Sequence, residues 1–432
     1  GSEMIVTLAF VALMVLLFLR TPIAVATGLV GLAGLAYFQG WGAAFSQVGI
    51  IASETVLTYE FAVIPLFIVM GAFIAHSGIA EELFRACYAL VGHWRGGLAL
   101  STIVACGGFG AVSGSSLATA ATMSRIAYPQ MKQYGYKTSL ATGSIAAGGT
   151  LGILIPPSIA LVFYGIMTET DIGALFMAGI VPGILGMFLY AAAVFWTALR
   201  DPNAGPAGAK MSTTERLKAL SGVWSVILLF GIVMGGIYGG IFSPTESAGI
   251  GAFGALVIAA MRGRLTYDML KTSLADGIST TVALMMILIG SFLFANFVNV
   301  ARLPQALVTG IESAAVPPML VIFLIILIYV VLGCVLESIS MMLLTVPVFY
   351  PLIVSLGFDP IWFGVLVVVV VEISLITPPI GLNVFILNAV LRDVELTDIF
   401  RGVVPFIVAD VARVLLVVFI PAISLTLPYL LN

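Results

Sequence analysis

From Leu303 to Leu391 the chain contains neither lysine nor arginine. A soluble surface is built from charges of both signs, so a stretch this long without a cation belongs to lipid or to a protein interior. The rest of the sequence follows the same pattern. Only 17 basic and 20 acidic residues occur among 432, which makes 9% charged where a soluble domain carries about 25%. Hydrophobic residues make up 61%. These proportions exclude a soluble enzyme, a nucleic-acid-binding protein and a disordered chain, and make membrane lipid the main surrounding. A ~30 Å hydrocarbon core takes about 20 helical residues to cross, so there is room for about ten crossings and some shorter elements.

Apolar runs lie near 4–19, 22–38, 61–76, 138–168, 174–199, 221–241, 244–261, 277–298, 361–391 and 403–427. Segments 98–130 and 319–350 are also apolar but are interrupted near their centres by Ser113-Gly-Ser-Ser116 and Glu337-Ser-Ile-Ser340. Each is too short for two crossings and a turn, so it reads as a re-entrant hairpin, which membranes tolerate where protein or a water-filled cavity surrounds the irregular backbone. With the hairpins counted as no crossing, every basic residue except Arg302 and Arg413 falls on one side. By the positive-inside rule that side is the cytoplasm, and both termini are periplasmic.

The two halves share a spacing. Pro22 and Pro244, Tyr128-Pro129 and Tyr350-Pro351, Gly135 and Gly357, and Pro156-Pro157 and Pro378-Pro379 each differ by 222, while Pro182 and Pro405 differ by 223. Colinear pairs at one offset mark a duplication. Residues 1–200 form the first unit with the hairpin at 98–130, and 220–432 the second with the hairpin at 319–350. The Pro-, Gly- and Ala-rich segment 201–219 is a cytoplasmic linker. Five crossings per unit turn the second upside down relative to the first. The expected fold is therefore an all-α membrane protein of two inverted repeats with broken helices, an architecture of secondary transporters.

The chemistry concentrates at four interruptions: Ser113–Ser116, Gly148–Ser158, Glu337–Ser340 and Ser374–Asn383. A double proline removes two amide donors and disfavours helix at the preceding residue, which leaves carbonyl oxygens in the turn before it free. Hard cations such as Na⁺ are held by such carbonyls and by hydroxyls. Ser113 and Ser115 at the first tip read as ligands of this kind. Cys87, Cys106 and Cys334 are scattered in apolar context, and only His76 and His93 exist, so no zinc cluster or Ser-His-Asp arrangement is expected, and no enzyme. Among the acids, Glu246 has capping-box spacing after Ser243-Pro, and Asp410 and Arg413 form an intrahelical pair. Glu337 and Glu372 are either functional or hydrogen-bonded in the interior. Arg125 either attracts a carboxylate or snorkels to the surface. Segment 79–95 reads as an amphipathic interfacial helix.

Gly107-Gly-Phe-Gly-Ala-Val-Ser-Gly-Ser-Ser116, Gly148-Gly-Thr-Leu-Gly-Ile-Leu-Ile-Pro-Pro-Ser158, Phe242-Ser-Pro-Thr-Glu246 and Thr377-Pro-Pro-Ile-Gly-Leu-Asn383 together resemble the large membrane subunit of TRAP transporters, the DctM-like family. The resemblance covers nearly the whole chain. It implies a Na⁺-driven importer of organic acids, such as C4-dicarboxylates or sialic acid, in a bacterial inner membrane. It implies an elevator motion, a soluble periplasmic substrate-binding protein that delivers the cargo, and a small four-helix membrane subunit as partner. Carried over by motif, a first sodium site falls on Ser113, Ser115, Gly152, Ile155 and Pro157, the last three through carbonyls. The repeat puts a second near Ser338, Ser340, Ser374, Thr377 and Pro379. Substrate contacts are expected among Ser116, Arg125, Glu337, Gly381 and Asn383. The alternative is a stand-alone homodimeric Na⁺/carboxylate symporter that needs no binding protein.

Overall fold

The computed structural model describes residues 1–333, 336–378 and 380–431. Cys334 and Pro379, the second of them a sodium candidate named above, lie outside the described residues. The fold is helical, with no strand among the described residues. The chain opens with α1 (Ser2–Phe18), α2 (Ile23–Gln39) and α3 (Trp41–Leu57), and after a 3-10 turn continues in α4 (Val63–Ala75) and α5 (Ile79–Val91). Helices α6 (Gly97–Ser113) and α7 (Ser116–Gln133) meet at the first Ser-rich tip, and α8 (Thr138–Leu154) and α9 (Ile159–Thr168) meet at the first proline pair. The long α10 (Ile172–Arg200) leads to the linker and its short helix α11 (Thr213–Ser221).

The second half runs through α12 (Trp224–Tyr238), α13 (Pro244–Met261), α14 (Tyr267–Val300) and α15 (Leu303–Ser313). Then come α16 (Pro318–Gly333) and α17 (Ser338–Ser355) around the second tip, and α18 (Pro360–Ser374) and α19 (Leu382–Val390) around the second proline pair. The last helices are α20 (Leu396–Phe419) and α21 (Ala422–Leu430). Among the described residues seven helical segments are long and apolar enough to cross a membrane, with Thr138–Thr168 and Thr213–Tyr238 each taken as one, or eight if a bent pair counts as one.

That bent pair is α3 with Tyr59–Ala75, at 60°. The hydropathy reading has no element over 41–57 because Gln47, Ser53, Glu54 and Thr55 dilute its apolar residues. The run 403–427 is likewise two helices, α20 and α21, parted at Ile420-Pro421. Helix α5 has the periodicity read over 79–95, but its apolar face (Ile79, Leu83, Phe84 and Tyr88 buried) packs on protein, mainly α6. Protein contact therefore explains its pattern. Its polar face is tied to the α13–α14 turn by the ion pairs Glu82–Arg262 and Glu81–Arg264.

The capping signals act where they were read. Ser243 Oγ accepts from Glu246 N at 3.2 Å with Pro244 opening α13, and the hydroxyl satisfies one of the amides left free at a helix start. Helices α1, α2, α3 and the second half of α14 share one apolar core with part of α17, while Met269, Leu284 and Leu288 of α14 join the second, larger one.

Candidate functional site

The first tip turns on Gly114, whose φ of +68° is open to glycine at little strain. Ser115 follows in extended conformation and caps α7 by accepting from Ala118 N at 3.3 Å. Around this turn, neutral oxygens converge. Thr119 Oγ1 donates to Ser115 O at 2.6 Å and lies 3.2 Å from Ser113 Oγ. A methyl group on Gly152 would sit 3.4 Å from Thr119 Oγ1 and 3.5 Å from Ser115 O, and one on Gly114 would sit 3.1 Å from Pro157 O. The tip and the α8–α9 break are thus pressed together, with Ser113 and Ile155 both buried. Hydroxyl and carbonyl oxygens without a neutralising acid suit a monovalent hard cation better than a divalent one. Among the described residues no group of three His, Cys, Asp or Glu forms a metal cluster.

The second set of candidates is arranged differently. Glu337 caps α17, accepting from Ile339 N at 3.4 Å and Ser340 N at 3.3 Å. Ser338 Oγ and Ser340 Oγ donate to the same carboxylate, at 3.5 and 2.8 Å. An acid at a helix N-terminus offsets the positive end of the macrodipole, so Glu337 stands where the neutral Ser115 stands in the first tip. Ser374 and Thr377 donate one turn back, Ser374 to Val371 O at 2.6 Å and Thr377 to Ile373 O at 2.5 Å. Ser374 also packs against Gly333 at the end of α16. Ser338 and Ser340 therefore belong to the cap of Glu337, and Ser374 and Thr377 to the α18–α19 break.

Both tips open on one cavity of about 300 Å³. Ser113–Ala118 and Glu337–Ile339 form one side, and Gly71, His76, Asp276 and Thr280 from α4 and α14 the other. Gly71 allows the approach, since a methyl there would meet Ser113 O at 2.5 Å. Among the described residues no lysine or arginine lines the cavity. Arg125 is exposed and is absent from its wall, more than two turns down α7 from Ser116, as the surface-snorkelling alternative has it. Ser116 lines the cavity, whereas Gly381 and Asn383 do not. Asn383 is fully buried and bonded to Ser116, and Gly381 makes the positive-φ turn (+61°) that opens α19. Thr119, His76, Asp276 and Thr280 were not among the site residues expected from sequence. Only Thr119 carried a sequence signal, lying one helical turn after Ser115.

Behind the site lies a polar cluster at full burial. Arg413 bridges Glu372 of α18 and Asp410 of its own helix, the latter at 3.0 Å. Tyr190 of α10 donates to both Asp410 oxygens at 2.8 and 2.7 Å, and Thr150 Oγ1 of α8 lies 3.1 Å from Tyr190 Oη. The Asp410–Arg413 pair is thus part of a four-helix network that also takes in Glu372. Outside the spans, Lys132 at the end of α7 holds Asp393 at 2.9 Å, and this hydrogen bond lowers the Asp393 carboxyl below its ordinary range.

Residues 10–423 match the family model described as the tripartite ATP-independent periplasmic transporter, DctM component. The chain is 37% identical over 379 residues to a C4-dicarboxylate TRAP transporter large permease protein of Pseudomonas aeruginosa, covering 87% of each. It is 32% identical over 420 residues to a sialic acid TRAP transporter large permease protein of Vibrio cholerae, covering 96% of each. Among solved structures, the YdaH transporter of Alcanivorax borkumensis superposes with a TM-score of 0.61 at 12% identity, covering 88% of each chain, a likeness of fold alone.

Proposed function

Because the chain belongs to the DctM component family of the tripartite ATP-independent periplasmic transporters, we propose that it is the large permease of a Na⁺-coupled importer of a small organic acid. The cargo class is that of the relatives, C4-dicarboxylate or sialic acid. A periplasmic binding protein delivers it, and a small membrane subunit completes the permease. The observation that carries this reading is the single cavity shared by both helix tips, with uncharged oxygens gathered at the first of them.

The residues divide the work. Ser113, Ser115 and the carbonyls around Gly152, Ile155 and Pro157 hold Na⁺, and a second Na⁺ is held at the α18–α19 break by Ser374 and Thr377. The start of α7, whose residues Ser116–Ala118 line the cavity, receives a carboxylate, because helix N-termini favour anions. Binding of Na⁺ packs the tip against the α8–α9 break and completes the cargo site. By linkage, cargo then raises the affinity for Na⁺ by the same factor. Helices α6–α10 and α16–α20 move together past α2, α4, α13 and α14, and Gly71 gives the smooth face along which the first tip slides.

The decisive experiment is uptake into proteoliposomes holding this chain and its small partner, with the binding protein outside. Uptake is expected to stop when the Na⁺ gradient is removed and when the binding protein is omitted. Uptake that ignores Na⁺ sinks the coupling, and uptake without the binding protein favours the stand-alone symporter. Ser115→Ala loses a ligand and a helix cap worth about 1 kcal/mol. We expect the Na⁺ activation curve to shift to higher concentration while expression is retained; an unshifted curve removes Ser115 from the site.

A further inference from the structure

We propose that Asn383 is a positioning residue that couples the first tip to the second helix break, with Ser116 as its contact; this rests on the two-site Na⁺ reading above. Asn383 is fully buried and Ser116 nearly so. Ser116 Oγ donates to Asn383 Oδ1 at 3.0 Å and lies 2.8 Å from Nδ2, which donates to it. The same Nδ2 donates to Ala146 O of α8 at 3.0 Å, and the backbone N–H of Asn383 donates to Leu375 O at 3.1 Å. One side chain and its own amide therefore touch the first turn of α7, the helix that leads into the first proline pair, and the last turn before the second. The contact spans 267 residues of sequence.

The amide is occupied on both of its ends, so Asn383 does not serve as a cargo ligand in this arrangement. Its chemistry is specific: one acceptor faces a hydroxyl and one donor faces a carbonyl. Ser116 is the first residue of α7, directly after the cap Ser115, so a shift of the tip on Na⁺ binding shifts Ser116. Asn383 is the second residue of α19, two residues past the positive-φ turn at Gly381, so it moves the start of α19 and the Thr377 turn with it. Buried hydrogen-bonded groups of this kind behave as a unit, because leaving one of them unpaired costs more than the bond itself contributes. Occupancy at the first site is in this way felt at the second.

The test is a double-mutant cycle on Na⁺-activated uptake with Ser116→Ala, Asn383→Ala and the double variant. The wild type is expected to show cooperative Na⁺ activation. Each single variant is expected to lower the Hill coefficient to about 1, with the double variant no worse than either single, since coupled residues are non-additive. Asn383→Asp keeps the acceptor for Ser116 but sets a carboxylate against Ala146 O, so it should fail like Asn383→Ala. A purely structural role would lower the yield or the thermal midpoint and leave the Hill coefficient at the wild-type value. Ser116→Ala removes a single hydroxyl and serves as the variant that folds. Wild-type cooperativity retained in Ser116→Ala and Asn383→Ala overturns the proposal alone. Wild-type uptake indifferent to Na⁺ overturns the underlying reading, and the proposal with it.

Discussion

Arg413→Met is expected to unfold the protein in detergent at a markedly lower temperature than the wild type, with little recovered as a monodisperse species. The guanidinium is the single cation facing Glu372 and Asp410 among the described residues, and all three side chains are fully buried. Removing one partner of a buried ion pair leaves an uncompensated charge, a loss of about 3–5 kcal/mol. The same physics predicts the cure. Adding Glu372→Gln and Asp410→Asn removes the stranded carboxylates while keeping shape, and neutral replacement of a buried ionic triad is roughly neutral for stability. Thermal unfolding of the three-residue variant should return most of the way to wild type. An Arg413→Met protein as stable as wild type, or no gain from the two amides, refutes this account of the cluster.

Gly110→Ala is expected to have the largest effect on transport for the smallest change in side chain. A methyl on Gly110 would collide with the backbone of Gly152, lying 2.9 Å from its nitrogen. Backbone does not swing aside as a side-chain end does, so α6 must lift from α8 where the first tip meets the first break. Overpacking of this kind costs about 1–3 kcal/mol, which converts to a roughly five- to 150-fold higher Na⁺ requirement. Gly108 supplies the control. A methyl there would meet the ends of the Leu83 side chain at 3.3 Å, and these can rotate away, so Gly108→Ala should leave uptake within about twofold. Equal effects of the two substitutions in a Na⁺ titration of uptake would show that the α6–α8 contact is not what sets Na⁺ affinity.

The parts of this fold that were legible from sequence are those set by local chemistry. Helix α6 ends at Ser113 and α7 begins at Ser116 because Gly114 supplies the turn and Ser115 the cap. Helices α8 and α18 end before their proline pairs because the prolines lack amide donors and disfavour helix at the residue before them. Ser243 caps α13 because Ser-Pro-x-Glu spacing puts its hydroxyl and the Glu246 amide within one turn. What stayed hidden depends on which helices meet. Glu372 and Arg413 are 41 residues apart, and Asn383 meets Ser116 across the two halves. Interhelical packing decides those distances, and hydropathy periodicity carries no information about them. Helix α3 escaped for a simpler reason, since its polar residues lowered the average on which the spans were read.

The hydrogen bond from Tyr190 to Asp410 joins residues 220 apart. A ribosome adding about 5–20 residues per second makes the acceptor roughly ten to forty seconds after the donor. For that interval the first half of the chain sits in the bilayer with Thr150 as the partner of Tyr190 and with its tip without Asn383. Its helices can endure the wait because each satisfies its own backbone in lipid. Assembly of this protein is therefore a two-stage affair, insertion first and docking of the two halves later.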